Sequence, residues 1–149
     1  MAELIRALRS NDIGAVRRLL HEGHSPNQHV DDDLVNILFV SFKSMRKFSF
    51  FIKHGTSLHV AAENDERNEI LKLFIASKID VECRSQRDDW IALHMACCRK
   101  AAKNVTTLLA NGALICAKND DGSMPKHLAF KLFCFLQFEG KINQSSANQ

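Results

Sequence analysis

Three histidines and two adjacent cysteines are the first candidates for chemistry in this chain of 149 residues. His94 stands three and four residues before Cys97 and Cys98, a helical spacing that would aim an imidazole and a thiolate at one metal ion. His59 and His127 are the nominees for further ligands. No second cysteine or histidine pair at finger spacing completes such a site, so no metal centre is expected. A nucleophilic Cys98 is the next chemistry to weigh. Arg99 and Lys100 beside it would lower a thiol pKa, yet no motif supplies a base or an orienting group. Phosphate binding fares no better: glycines are sparse, and each one near an expected helix falls at the C-terminal end, the wrong end for an anion. The expectation is no catalytic residue, no metal and no cofactor.

The elements that carry these histidines repeat. His94 and His127 lie 33 residues apart, and Trp90-Ile91-Ala92-Leu93-His94-Met95-Ala96 reappears as Ser123-Met124-Pro125-Lys126-His127-Leu128-Ala129. An earlier copy, Thr56-Ser57-Leu58-His59-Val60-Ala61-Ala62, sits 35 residues before His94. A second apolar run closes three of the units: Val16–Gly23, Ile70–Ile75 and Val105–Gly112. Leu pairs followed by Gly read as a helix whose apolar stripe ends in a left-handed cap. A 33-residue period with a T-P-L-H-x-A core resembles the ankyrin repeat. The resemblance implies an all-α solenoid of stacked helix-turn-helix units with short β-hairpin or loop fingers. Each unit is too small to bury its own apolar face, and stacking supplies the missing core. It also implies that His59, His94 and His127 hydrogen-bond the backbone of neighbouring repeats, and that Cys97 fills a small apolar slot. Pro125, the one core proline kept, suits a first helical turn.

The units expected on this basis are 2–27 as an N-terminal cap, 28–55 as a degenerate repeat, 56–88, 89–121, and a truncated 122–138. They form one domain, 1–138, followed by a disordered polar tail at 139–149. In the degenerate unit, Phe42, Phe48, Phe50 and Phe51 interleave with Lys43, Arg46, Lys47 and Lys53. That pattern fits a basic membrane or nucleic-acid element, but a repeat helix whose phenylalanines face the stack and whose lysines face water fits it better. Counted between second-helix ends, Gly23 to Gly55 is 32 residues, Gly55 to Lys78 is 23, and Lys78 to Gly112 is 34. The middle interval thus reads as about ten residues short, with strained or rebuilt stacking expected at 53–58. A native irregularity and an absent segment both fit; the good match of both flanks favours the absent segment.

Composition sets the outer limits. Apolar content of 46% supports a continuous core, and a scattered net charge of +3 gives no footprint for nucleic acid. No apolar run approaches a membrane span, and Met1 leads into a charged amphipathic helix rather than a signal region. Five cysteines without framework spacing fit reduced thiols, hence a cytoplasmic or nuclear protein.

By resemblance, function belongs to the finger tips and the concave inner-helix face, which meet a partner protein. Residue by residue, the tips are Arg87, Asp88, Asp89 and Trp90, then Asn119, Asp120, Asp121 and Ser123; the inner face offers Glu63, Asn64, Cys98, Arg99 and Lys131. Trp90 at a tip is expected to leave much of its indole available as a binding anchor, with packing on the adjoining finger as the competing role. Phe130, Phe133, Phe135 and Phe138 either fold back over the last unit or support self-association. Two functions follow: a non-catalytic adaptor or inhibitor, or a truncated or spliced variant of a longer ankyrin protein.

Overall fold

A computed structural model describes residues 2–27 and 55–130. It places seven α-helices in those residues: α1 (Ala2–Arg9), α2 (Ile13–His21), α3 (Ser57–Ala62), α4 (Asn68–Ala76), α5 (Ala92–Cys98), α6 (Ala102–Ala110) and α7 (Pro125–Phe130). A 3-10 turn, Asp65–Arg67, joins α3 to α4. Expectations placed on 28–54 and 131–149 lie outside the described residues; these include the degenerate unit's phenylalanines, Lys131, the last three phenylalanines of the C-terminal run and the polar tail.

The helices pair as the period requires. Inner helices α1, α3, α5 and α7 form one row, outer helices α2, α4 and α6 a second, and each helix packs on its predecessor in the row. Leu58 and Leu93, each one residue before a core histidine, are fully buried, as are Leu4, Val16, Ile70, Leu71, Phe74, Val105 and Leu108. One apolar cluster runs unbroken from Leu4 to Ala117. Burying each such aliphatic side chain contributes about 1.5–3 kcal/mol. α1 turns Leu4, Ile5, Ala7 and Leu8 inward and leaves Glu3, Arg6 and Arg9 exposed.

The joint differs from expectation. Gly55–Leu58 is an ordinary helix entry: Thr56 is the N-cap with extended φ −93° and ψ 171°, and the Leu58 amide donates to the Pro26 carbonyl at 3.2 Å. That bond satisfies an amide that the first helical turn leaves without a partner. α1 packs directly on α3 and α2 on α4. The facing outer-helix ends are therefore Gly23 and Lys78, which lie 55 residues apart, against 34 from Lys78 to Gly112. Strain is not seen at 55–58, and the degenerate unit from which the short interval is counted falls on 28–54, outside the described residues.

The caps of the outer helices differ in one informative way. Gly23 and Gly112 close α2 and α6 at φ 90°, whereas Lys78 closes α4 at φ 56°. A side chain in the left-handed region costs about 1–2 kcal/mol, and glycine returns part of that as unfolded-state entropy. Lys78→Gly should therefore raise stability by about 0.5–1 kcal/mol in urea denaturation. No gain would mean that the lysine stem recovers the cost by packing.

Candidate functional site

The core histidines act as rivets between units. His59 Nδ1 accepts from the Thr56 amide at 3.1 Å and contacts the Thr56 hydroxyl at 2.9 Å; its Nε2–H donates to the Trp90 carbonyl at 2.8 Å. His94 repeats this, Nδ1 accepting from the Ile91 amide at 3.2 Å and Nε2–H donating to Ser123 at 3.1 Å. With Nδ1 accepting an N–H in both rings, the proton sits on Nε2. Each ring thus ties the start of its own helix to the base of the next finger. His127 keeps the first half of the pattern, accepting from the Met124 amide at 3.1 Å, with its ring exposed. The metal-ligand alternative loses both nitrogens of His59 and His94 to these bonds.

Burial pushes the His94 pKa down; the Ser123 carbonyl opposes this, and Arg84 adds to it. The unfolded chain then binds this proton more readily than the folded one. Stability from His94 is fully present above its ordinary value of 6.5 and is lost as pH falls through the lower folded value. Urea denaturation should show stability falling below about pH 6.5, with a shallower fall in His94→Gln. Parallel slopes for the two proteins would show that His94 does not drive the loss.

Each finger is a hydrogen-bonded turn braced on its own base. The Ser85 amide donates to the Trp90 carbonyl at 2.7 Å, and the Trp90 amide donates to Ser85 Oγ at 2.9 Å. In the next finger Asn119 and Ser123 make the matching pair, at 3.0 Å between backbones and 2.7 Å from the Ser123 amide to Asn119 Oδ1. Neighbouring fingers are also joined. Arg84 Nη1 donates to the Lys118 carbonyl at 2.9 Å and ion-pairs with Asp89, while Glu82 accepts from the Leu114 amide at 2.9 Å. The Asp120 amide donates to the Asp88 carbonyl at 3.3 Å.

The expected tip residues separate accordingly. Arg87, Asp120 and Asp121 are exposed; Asp88, Asp89 and Ser123 are half-buried; Asn119 is buried. Trp90 is 6% exposed, with its ring centroid 5.8 Å from that of His94. This corrects the expectation of an available indole: Trp90 stands at the finger's base, buried beside the His94 ring.

On the inner face, Glu63 and Arg99 meet across layers at 2.8 Å, and Arg67 lies 3.9 Å from the other Glu63 oxygen. Asn64 accepts from the Glu66 amide at 3.0 Å and caps the 3-10 turn. Two residues outside the expected set organise this region. Arg67 donates to the Leu8 carbonyl at 2.9 Å and to the Val60 carbonyl at 3.2 Å. Asn104, fully buried, donates through Nδ2 to the carbonyls of Ala61, Ala62 and Asn64 at 3.3, 3.1 and 2.8 Å. Its position matches Ala15 in α2 and Ile70 in α4. A polar residue in an otherwise apolar column was the signal available.

Burial raises the Cys98 thiol pKa, with Arg99 opposing, so the thiol form prevails over the thiolate that nucleophilic chemistry needs. Gly14 and Gly55 correct the reading of the glycines: one is the second residue of α2, the other directly precedes the α3 N-cap. Cys97 is buried, as its small slot requires. Among the described residues no cluster of His, Cys, Asp and Glu is arranged to hold a metal ion, and no helix is long and apolar enough to cross a membrane.

No curated protein matches the chain. The family model for ankyrin repeats in three copies matches residues 4–119, which is most of the chain. Repeats of this family generally mediate protein–protein interaction. Period, riveting histidines and helix rows agree with that match, and the chain belongs to the ankyrin repeat family.

Proposed function

We propose that this chain is a non-catalytic adaptor or inhibitor that binds a partner protein through its finger tips and concave inner-helix face, in the cytoplasm or nucleus. The observation that carries this reading is the bracing of one finger on the next through Arg84, Glu82 and the Asp88–Asp120 backbone bond. Fingers held in a fixed comb present Arg87, Asp120 and Asp121 without paying ordering entropy on binding. Asp88, Asp89, Trp90, Asn119 and Ser123 serve by keeping the fingers in shape, and Glu63, Asn64 and Arg99 line the inner face.

The test is affinity capture from lysate by the purified chain and by an Arg87→Glu/Asp120→Lys/Asp121→Lys variant. The expected result is a protein retained by the wild type and lost by the variant at equal Tm. Identical capture by both would remove the tips from the interface.

A further inference from the structure

A single asparagine of the chain precedes a glycine: Asn111, which caps the C-terminal end of α6 and is followed by Gly112. Both residues are exposed, and a Cβ built at Gly112 would meet nothing within 4 Å. Asparagine is one of the thermolabile residues, because the next residue's amide nitrogen can attack its side-chain carbonyl carbon. Glycine obstructs that attack least, having no side chain beside the ring that forms. The ends of α2 and α4, Glu22-Gly23 and Ser77-Lys78, lack the pairing.

Two hydrogen bonds restrain the reacting groups. Asn111 Nδ2 donates to the Thr107 carbonyl at 2.8 Å, and the Gly112 amide donates to the Leu109 carbonyl at 3.2 Å. Both belong to the last turn of a helix, where opening costs least. The residues just beyond hold the stack together. The Ala113 amide donates to the Leu108 carbonyl at 3.1 Å, and the Leu114 amide donates to Glu82 of the preceding layer at 2.9 Å.

We propose that Asn111 is a site of spontaneous deamidation, and that its product loosens the brace between Leu114 and Glu82. When the last turn opens, the Gly112 amide nitrogen gives up its proton and bonds to Asn111 Cγ. The Cγ–Nδ2 bond breaks, and ammonia leaves with that proton. Water then opens the cyclic imide at either carbonyl, giving aspartate or isoaspartate. No electrons are exchanged. Either product is a carboxylate, which can only accept, so the bond to Thr107 is lost and a negative charge sits among the last carbonyls of α6. Isoaspartate also lengthens the main chain by one carbon just before Ala113 and Leu114.

Storage of the folded chain at mildly alkaline pH, followed by peptide mapping with mass spectrometry, tests the site. Asn111 should be modified ahead of Asn11, which is exposed but precedes Asp12. Unfolding in urea should speed the reaction about tenfold or more, the restraint that two hydrogen bonds impose. Asn111→Gln should leave the position intact over the same period. Modification that begins at another asparagine, or runs equally fast folded and unfolded, would overturn the site. Asn111→Asp supplies one product directly and tests the consequence. By hydrogen exchange its Leu114 amide should open about fivefold more readily than in wild type, while the Leu58 amide at the other joint is unchanged. Unchanged exchange at Leu114 would overturn the loosening.

Discussion

Trp90→Ala should lower the unfolding free energy by about 3–5 kcal/mol, the range for emptying a buried tryptophan site. The indole is 6% exposed, and its ring sits beside the His94 imidazole at the seam between layers. Its backbone carbonyl receives both His59 Nε2–H and the Ser85 amide, so the residue joins a layer contact to a finger base. Removing the ring leaves a cavity where two layers meet, and the neighbours are too well fixed to collapse into it. Urea denaturation measures the loss. Partner affinity, taken under conditions where the variant is still folded, should be nearly unchanged. The reverse pattern, with stability kept and affinity down by about 2 kcal/mol or more, is what an interface anchor would give and would reject the packing role.

Asn104→Ala should cost about 2–3 kcal/mol, through what it leaves behind rather than through lost packing. The last carbonyls of a helix have no partner within it. At the end of α3 those of Ala61, Ala62 and Asn64 instead receive the Asn104 amide, while Asn104 Oδ1 accepts from Asn68 at 3.0 Å. Asn104 is fully buried, so alanine orphans the Ala61 and Ala62 carbonyls where water does not readily reach, while the Asn64 carbonyl keeps the Arg67 amide at 3.0 Å. Asn104→Leu is the sharper comparison, since it restores apolar volume yet leaves the same carbonyls bare. It should be no more stable than Asn104→Ala. Recovery of wild-type stability by leucine would show that the network contributes through its volume alone.

The legible part of this protein lay in local pattern. A 33-residue period, Leu-His pairs and Leu-Leu-x-x-Gly closures each act within one unit or between units of fixed spacing, and the helices fall where those patterns lie. The riveting role of His59 and His94 followed from the resemblance, because a motif that recurs in each layer meets the same neighbour each time. Counting along the chain orders the units, whereas packing sets α2 directly on α4.

What the sequence determined by itself was the fold family, the helix pairs and the histidine rivets, all encoded in short repeating words. Tertiary structure alone decided which layers meet, and hence the burial of Trp90, the capping of α3 by Asn104 and the pairing of Arg67 and Arg99 with Glu63. The physical reason is one of range. Helix stripes and caps are set by residues three or four positions apart. Partners drawn from different layers lie tens of residues apart, at distances fixed only once the stack has formed.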